Sequence, residues 1–228
     1  MADLDCIKNA RLTPLQKTER LIEFDNGFGV KKLCGVDEAG RGPLVGPVTV
    51  CACIMPKNAI IAGIDDSKKL SEKKREQLYE QIVSVADYCV VHIDRQTIDN
   101  INILQATKLG MAQAIAGLKT KPDHAVIDAV KGIDTDVPYT PVIKADAKSY
   151  CVAAASIIAK VTRDRLLREL DKAYPQYGFA RNKGYGTAEH IAAIKAYGAC
   201  PEHRRTFIKN FISAAECGAT TDGEVKPC

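Results

Sequence analysis

Two adjacent carboxylates, Asp37 and Glu38, follow the apolar run Leu33-Cys34-Gly35-Val36 and lead into Ala39-Gly40-Arg41-Gly42-Pro43-Leu44-Val45-Gly46-Pro47. Three glycines and two prolines between Gly40 and Pro47 cannot continue a strand. Such a loop can keep its backbone N–H groups clear of side chains, free to meet phosphate or hydroxyl oxygens, with Arg41 as a planar cation beside them. A tight strand-to-strand turn carrying solvated acids accounts for the same residues. Asp128 closes a second apolar run, His124-Ala125-Val126-Ile127, and Asp146 follows a third, Val142-Ile143-Lys144-Ala145. Alone, Asp128 reads as a loop residue. Three strand ends bearing acids suggest a common rim, because ligands of α/β sheets gather where strands terminate. Crowded carboxylates repel one another and divalent cations relieve the repulsion; an oxygen-only donor set favours Mg²⁺ or Mn²⁺ over zinc or copper. Two such cations about 3.5–4 Å apart would activate a water and stabilise the leaving oxygen of an in-line phosphodiester displacement.

A phosphodiester substrate calls for cations, and these are unevenly spread. Residues 181–209 hold six basic residues (Arg181, Lys183, Lys195, Arg204, Arg205, Lys209) against Glu189 and Glu202, a surplus equal to the formal net charge of +4. Within that segment, Lys183-Gly184-Tyr185-Gly186-Thr187 presents a ring between glycines. It suits stacking on a base or sugar while cations meet phosphates, or else a turn with a packed tyrosine. In Asp65-Asp66-Ser67-Lys68-Lys69-Leu70, Lys68 or Lys69 is placed to touch a backbone, unless the stretch is a solvated turn before a helix. Asp164 is expected to pair with Arg168 on a helix surface, four residues on. His190 and His203 read as ordinary surface residues rather than proton shuttles.

These groups need a scaffold. Strands are expected over Leu33–Val36, Val48–Met55, Tyr88–Ile93, Ala125–Ile127 and Pro141–Ile143, several too uniformly apolar for burial on one face only. Helical patterns lie at Pro14–Phe24, from a Ser71 cap to about Val85, at Ile103–Leu118, at Ala147–Tyr174, from Thr187 to near Gly198, and at Arg205–Glu216. Interleaved strands and helices point to an α/β sheet with helices on its faces. Residues 1–31 read as an N-terminal extension or packing helix, 32–213 as the catalytic domain with its C-terminal helices, and 214–228 as a polar tail.

The 228 residues, 46% hydrophobic and 26% charged, exclude collagen-like and wholly disordered classes. No apolar run approaches the roughly 18–20 residues of a membrane span, and the start lacks a signal-peptide pattern, so a cytosolic protein is expected. Nine cysteines show no C-x-x-C pair. With an odd count they read as reduced thiols packed as small hydrophobes.

Gly35-Val36-Asp37-Glu38-Ala39-Gly40-Arg41-Gly42-Pro43, Asp66-Ser67-Lys68-Lys69-Leu70, Ala153 to Asp164, Pro175-Gln176-Tyr177-Gly178-Phe179 and Lys183-Gly184-Tyr185 together resemble the bacterial ribonuclease HII signature, in the right order and over about residues 33–211. The sequence departs from it at Gly186, where proline or serine is frequent. The resemblance implies a ribonuclease H-like fold: a mixed central sheet flanked by helices, with a small C-terminal helical segment. It implies an endonuclease that cuts the RNA strand of RNA·DNA hybrids, and 5′ to single ribonucleotides embedded in duplex DNA, leaving 3′-hydroxyl and 5′-phosphate ends. On it, Asp37, Glu38 and Asp128 are metal ligands and Asp146 the fourth catalytic acid, holding two Mg²⁺ or Mn²⁺ ions with substrate. Gly40, Arg41 and Gly42 would sense the ribose 2′-hydroxyl, Tyr185 would read or distort the RNA-to-DNA junction, and Lys68, Lys160 and Lys183 would bind substrate. A monomer without membrane association is expected. Two rival readings remain: a hybrid-binding module using the basic segment alone, which gains nothing from the acids, and a DNA-processing nuclease of the same broad fold, which has no use for a ribose-sensing loop.

Overall fold

The structure, a computed structural model, describes residues 12–212. One five-stranded sheet forms its centre, from β1 (Leu33–Ala39), β2 (Val48–Ile54), β3 (Asp87–Ile93), β4 (His124–Asp128) and β5 (Tyr139–Val142), in the order β3-β2-β1-β4-β5. β1, β2 and β3 pair antiparallel, whereas β1, β4 and β5 run parallel, so the sheet is mixed. The C-terminal ends of the three parallel strands share one edge, as the acidic rim requires.

Helices cover both faces, which is why the strands are apolar throughout. On one face lies α4 (Tyr150–Ala173), started by the Ser149 hydroxyl accepting from the Val152 N–H. Its first half is buried almost all round because α4 sits between the sheet, α1 (Pro14–Asn26) and α2 (Glu72–Val83). Gly35 makes the close packing possible: a Cβ there would lie 2.1 Å from the Cys151 carbonyl carbon. On the opposite face, Met111, Ala114 and Ile115 of α3 (Arg95–Ala116) pack over Cys34, Val36, Val50 and Ala52.

A second, smaller core gathers the C-terminal segment. Leu44 and Val45 of the glycine loop pack with Leu167, Tyr177, Phe179, Ile194 and Ile208, which come from α4, a 3₁₀ turn (Pro175–Tyr177), α5 (Phe179–Asn182), α6 (Ala188–Tyr197) and α7 (Arg205–Ile208). The loop is thereby fastened to residues more than a hundred positions away.

Several boundaries differ from expectation. β1 continues to Ala39, so Asp37 and Glu38 lie within the strand, still paired with Cys51 and Val50 of β2. The helix expected from Ile103 is the second part of α3; a first part, capped by Asp94, precedes it and meets it at Asn102 (φ 65°), whose Oδ1 accepts from the N–H groups of Leu104 and Gln105. Before α4, residues Ala145–Ala147 form a separate 3₁₀ turn. α7 stops at Ile208, and the expected continuation beyond residue 212, with the polar tail, lies outside the described residues.

The six described cysteines are free thiols, five of them buried. No helix among the described residues is long and apolar enough to cross a membrane.

Candidate active site

β1 and β4 run in parallel register with Val36 opposite Ile127, so Asp37 and Asp128 stand on neighbouring strand ends. Asp146 enters from the 3₁₀ turn just beyond β5. Successive strand residues face opposite ways. Asp37, 5% exposed, accordingly turns towards α4, where the Ser156 hydroxyl donates to it and in turn contacts the Ser67 hydroxyl at 2.9 Å. Glu38 leans towards Arg41, whose guanidinium is 3.5 Å from its carboxylate.

This crowding shows in protonation. Burial pushes the Asp37 carboxyl well above its usual range, and the charges of Glu38 and Asp128 push it further. Glu38 is raised by burial and by Asp128 although Arg41 opposes this, and Asp146 by burial, then by Asp66 and Asp128. Lys68 lies across from them, its ammonium 4.0 Å from Asp146. Partial burial would lower its pKa, yet the charges of Asp146, Asp37, Asp66 and Asp128 hold it above the usual value.

Asp37, Glu38, Gly40, Arg41, Gly42, Lys68, Lys160 and Tyr185 line one cleft of about 210 Å³. Tyr185, 49% exposed, lays its ring beside Gly42, where a Cβ would meet it at 3.5 Å. Lys160 lines the cleft while bound to Asp164 at 2.7 Å. Lys183 is turned away, to Glu72 at 3.4 Å.

Three expectations fail here. Asp164 is buried and pairs with Lys160, not Arg168, because Arg168 faces α2 and binds Glu72 and Glu76. His190 and His203 are fully buried rather than on the surface. Arg204, counted above among the basic residues, is fully buried too. Its guanidinium donates to the carbonyls of Gly40, Arg41, Pro43 and Gly46 at 2.7–3.0 Å. Arg163, also buried, donates to Val45, Pro47 and Lys183 at 3.1–3.3 Å. Burial lowers the pKa of Arg163 to about 10 and of Arg204 to about 9, leaving both cationic at neutral pH. Two buried arginines thus hold the loop through its carbonyls, Arg163 from the wall of the cleft itself. Gly40 is required for this fit: it has φ +99°, and a Cβ would lie 2.1 Å from Arg163 Nε. No local pattern in the sequence marks either arginine for this role.

The residues suit a hard divalent cation. All four candidate ligands are carboxylates, and Glu38 Oε2 is buried without a hydrogen-bond partner. The cage is only partly gathered: among the described residues no three His, Cys, Asp or Glu side chains converge to hold a metal, and Asp128 Oδ1 accepts from the Ala145 N–H at 2.8 Å.

The sequence model of the ribonuclease HII family matches residues 34–211. The ribonuclease HII of Acetivibrio thermocellus is 56% identical over 185 residues, covering 81% of this chain and 72% of that protein. That of Ruminiclostridium cellulolyticum is 47% identical over 210 residues, covering 90% and 82%. Among solved structures, the ribonuclease H2 of Pyrococcus horikoshii superposes with a TM-score of 0.66 at 32% identity, over 77% of this chain and 93% of that one. With identity of this order sustained over most of its length, the chain belongs to the ribonuclease HII family, nucleases that hydrolyse RNA in RNA·DNA hybrids.

Proposed function

We propose that this enzyme cuts on the 5′ side of ribonucleotides, including a single ribonucleotide embedded in duplex DNA, and leaves 3′-hydroxyl and 5′-phosphate ends. Asp37, Glu38, Asp128 and Asp146 would hold two divalent cations, Mg²⁺ or Mn²⁺. When bound there, such cations lower the pKa of the attacking water and neutralise charge on the departing oxygen. The chain's own residues do the rest. Ser156 and Ser67 fix the Asp37 carboxylate, and Lys68 faces the acids with a charge suited to a phosphate oxygen. Arg204 ties the carbonyls of Gly40 and Arg41, which leaves the backbone donors of Gly40, Arg41 and Gly42 for the 2′-hydroxyl, the one group that separates RNA from DNA at a given site. Tyr185, beside Gly42, stacks at the junction with the following deoxynucleotide.

The observation that carries this reading is the shared cleft: Asp37, Glu38, the glycine loop and Tyr185 line one depression. A binding module would not set repelling carboxylates against a polyanion, and a DNA nuclease would not need the loop. The test is cleavage of a duplex with one ribonucleotide, its all-DNA twin and a long RNA·DNA hybrid, with and without EDTA. Incision of the first at the 5′ side of the ribonucleotide, silence on the second, and loss of all activity with EDTA are expected. Cutting of the all-DNA duplex, or activity that survives EDTA, would overturn it.

A further inference from the structure

Behind Tyr185 lies a buried histidine pair that the hydrolytic chemistry does not use. His190, in the first turn of α6, and His203, just ahead of α7, bring their Nε2 atoms within 3.0 Å of each other. Their outer nitrogens are also engaged. The Cys200 backbone N–H donates to His203 Nδ1 at 3.0 Å, and His190 Nδ1 lies 2.8 Å from the Tyr185 carbonyl oxygen. A backbone N–H only donates and a carbonyl only accepts, so one proton arrangement satisfies the whole chain. His203 is protonated on Nε2 and donates to the lone pair of His190 Nε2; His190 is protonated on Nδ1 and donates to Tyr185. Both rings are then neutral. Their surroundings enforce this: Tyr177 and Phe179, stacked 5.2 Å apart, meet both imidazoles edge-on, and burial lowers the pKa of His190 and takes that of His203 to about 3.

The far end of this chain is tied to the glycine loop. His203 forms a backbone bridge with Val45, and its neighbour Arg204 holds four carbonyls of the same loop. Residues 203 and 204 therefore grip both the glycine loop, directly, and Tyr185, through His190.

We propose that His190 and His203 are positioning residues, a hydrogen-bond relay of fixed tautomer that holds Tyr185 in register with the glycine loop for reading a ribonucleotide and takes no part in breaking the phosphodiester. The inference rests on the reading of Tyr185 given above. A lone ribonucleotide offers one 2′-hydroxyl and one junction, so it depends on that register. A long hybrid offers a 2′-hydroxyl at every step and tolerates drift.

The test compares kcat/KM on the single-ribonucleotide duplex and on a long hybrid for the wild type, His190→Leu, His190→Asn, Tyr185→Ala and the Tyr185→Ala/His190→Leu pair. His190→Leu is expected to lose about tenfold on the first substrate and less than about threefold on the second, the scale of one lost hydrogen bond. His190→Asn keeps an N–H where Nδ1–H stood and should recover most of the loss. In the Tyr185→Ala background the leucine should cost nothing further. Equal losses on both substrates, or losses that add in the double variant, overturn the relay while leaving Tyr185 as the junction reader. Full activity of Tyr185→Ala on the single-ribonucleotide duplex overturns the reading of Tyr185, and the relay with it. ¹⁵N NMR of the unsubstituted protein decides even where His190→Leu does not fold: Nε2–H on His203 and Nδ1–H on His190 support the relay, and the opposite tautomers overturn it.

Discussion

The two sides of the cleft carry their buried charge on opposite terms. On the sheet side, buried carboxylates crowd one another, their pKa values are driven up, and Glu38 Oε2 has no partner. On the loop side, two buried guanidiniums make seven hydrogen bonds to backbone carbonyls, and the histidine pair behind Tyr185 has both nitrogens of each ring engaged. On the proposed reading the difference separates chemistry from recognition: bound divalent cations would complete the acidic side, whereas the loop side is held by the fold itself and would meet substrate preorganised.

The contrast can be broken most severely on the acidic side. Asp128→Asn keeps the shape of a ligand and removes its charge; cleavage of a hybrid is expected to fall about a thousandfold or more, while hybrid affinity measured by anisotropy stays within a few-fold. Near-wild-type turnover would remove Asp128 from the ligand set. On the loop side, Arg204→Met strands four carbonyls, and thermal unfolding should show a loss of about 3 kcal/mol, roughly 10 °C in Tm. An unchanged Tm would mean that the loop does not depend on its cationic floor.

Added divalent cation sharpens the comparison. If the acids await positive charge, Mg²⁺ or Mn²⁺ at about a hundred times its Kd should stabilise the protein by about 2.7 kcal/mol, and the shift should shrink in Asp128→Asn. A shift of equal size in the variant would place the ion elsewhere. The loop side predicts a dependence on pH instead. His203 has a folded pKa of about 3, below the ordinary value near 6.5, so the unfolded chain binds the proton that the folded chain refuses. Its contribution is intact above pH 6.5 and is lost as pH falls from there towards 3, with a slope approaching about 1.4 kcal/mol per pH unit. Denaturant titrations of wild type and His203→Gln across that window should differ in slope; identical slopes would deny the buried neutral ring. The smallest effect is expected at Arg181, whose exposed pair with Glu189 is worth less than about 1 kcal/mol, so Arg181→Ala should leave Tm almost unmoved.

Much of the sheet and the acidic rim was legible in the sequence because the signals are local. Apolar runs mark strands buried on both faces, a carboxylate at each run's end marks the edge, and three glycines with two prolines mark a loop of exposed backbone. Ser71 and Thr187 cap α2 and α6 as their positions suggested. The first part of α3 was missed because Asn102 interrupts the helical pattern and caps the part that follows. Lys183 sits in the segment where a phosphate contact was expected, but Glu72 of a distant helix takes its charge.

By itself, then, the sequence determined which chemical groups the protein owns and along which strands and loops they lie, since backbone preference and hydrophobic period act over a few residues. The tertiary structure alone decided which of those groups face solvent. Arg204 reaches Gly40 across 164 positions, and Arg163 reaches Val45 across 118. His203, just ahead of α7, meets its partner His190 on α6. Asp164 had Lys160 and Arg168 at equal spacing on either side along α4, and the choice fell to Lys160 because α2 offers Arg168 two glutamates. Burying a polar side chain is tolerable only where partners converge on it, and those partners come from parts of the chain that no local pattern relates.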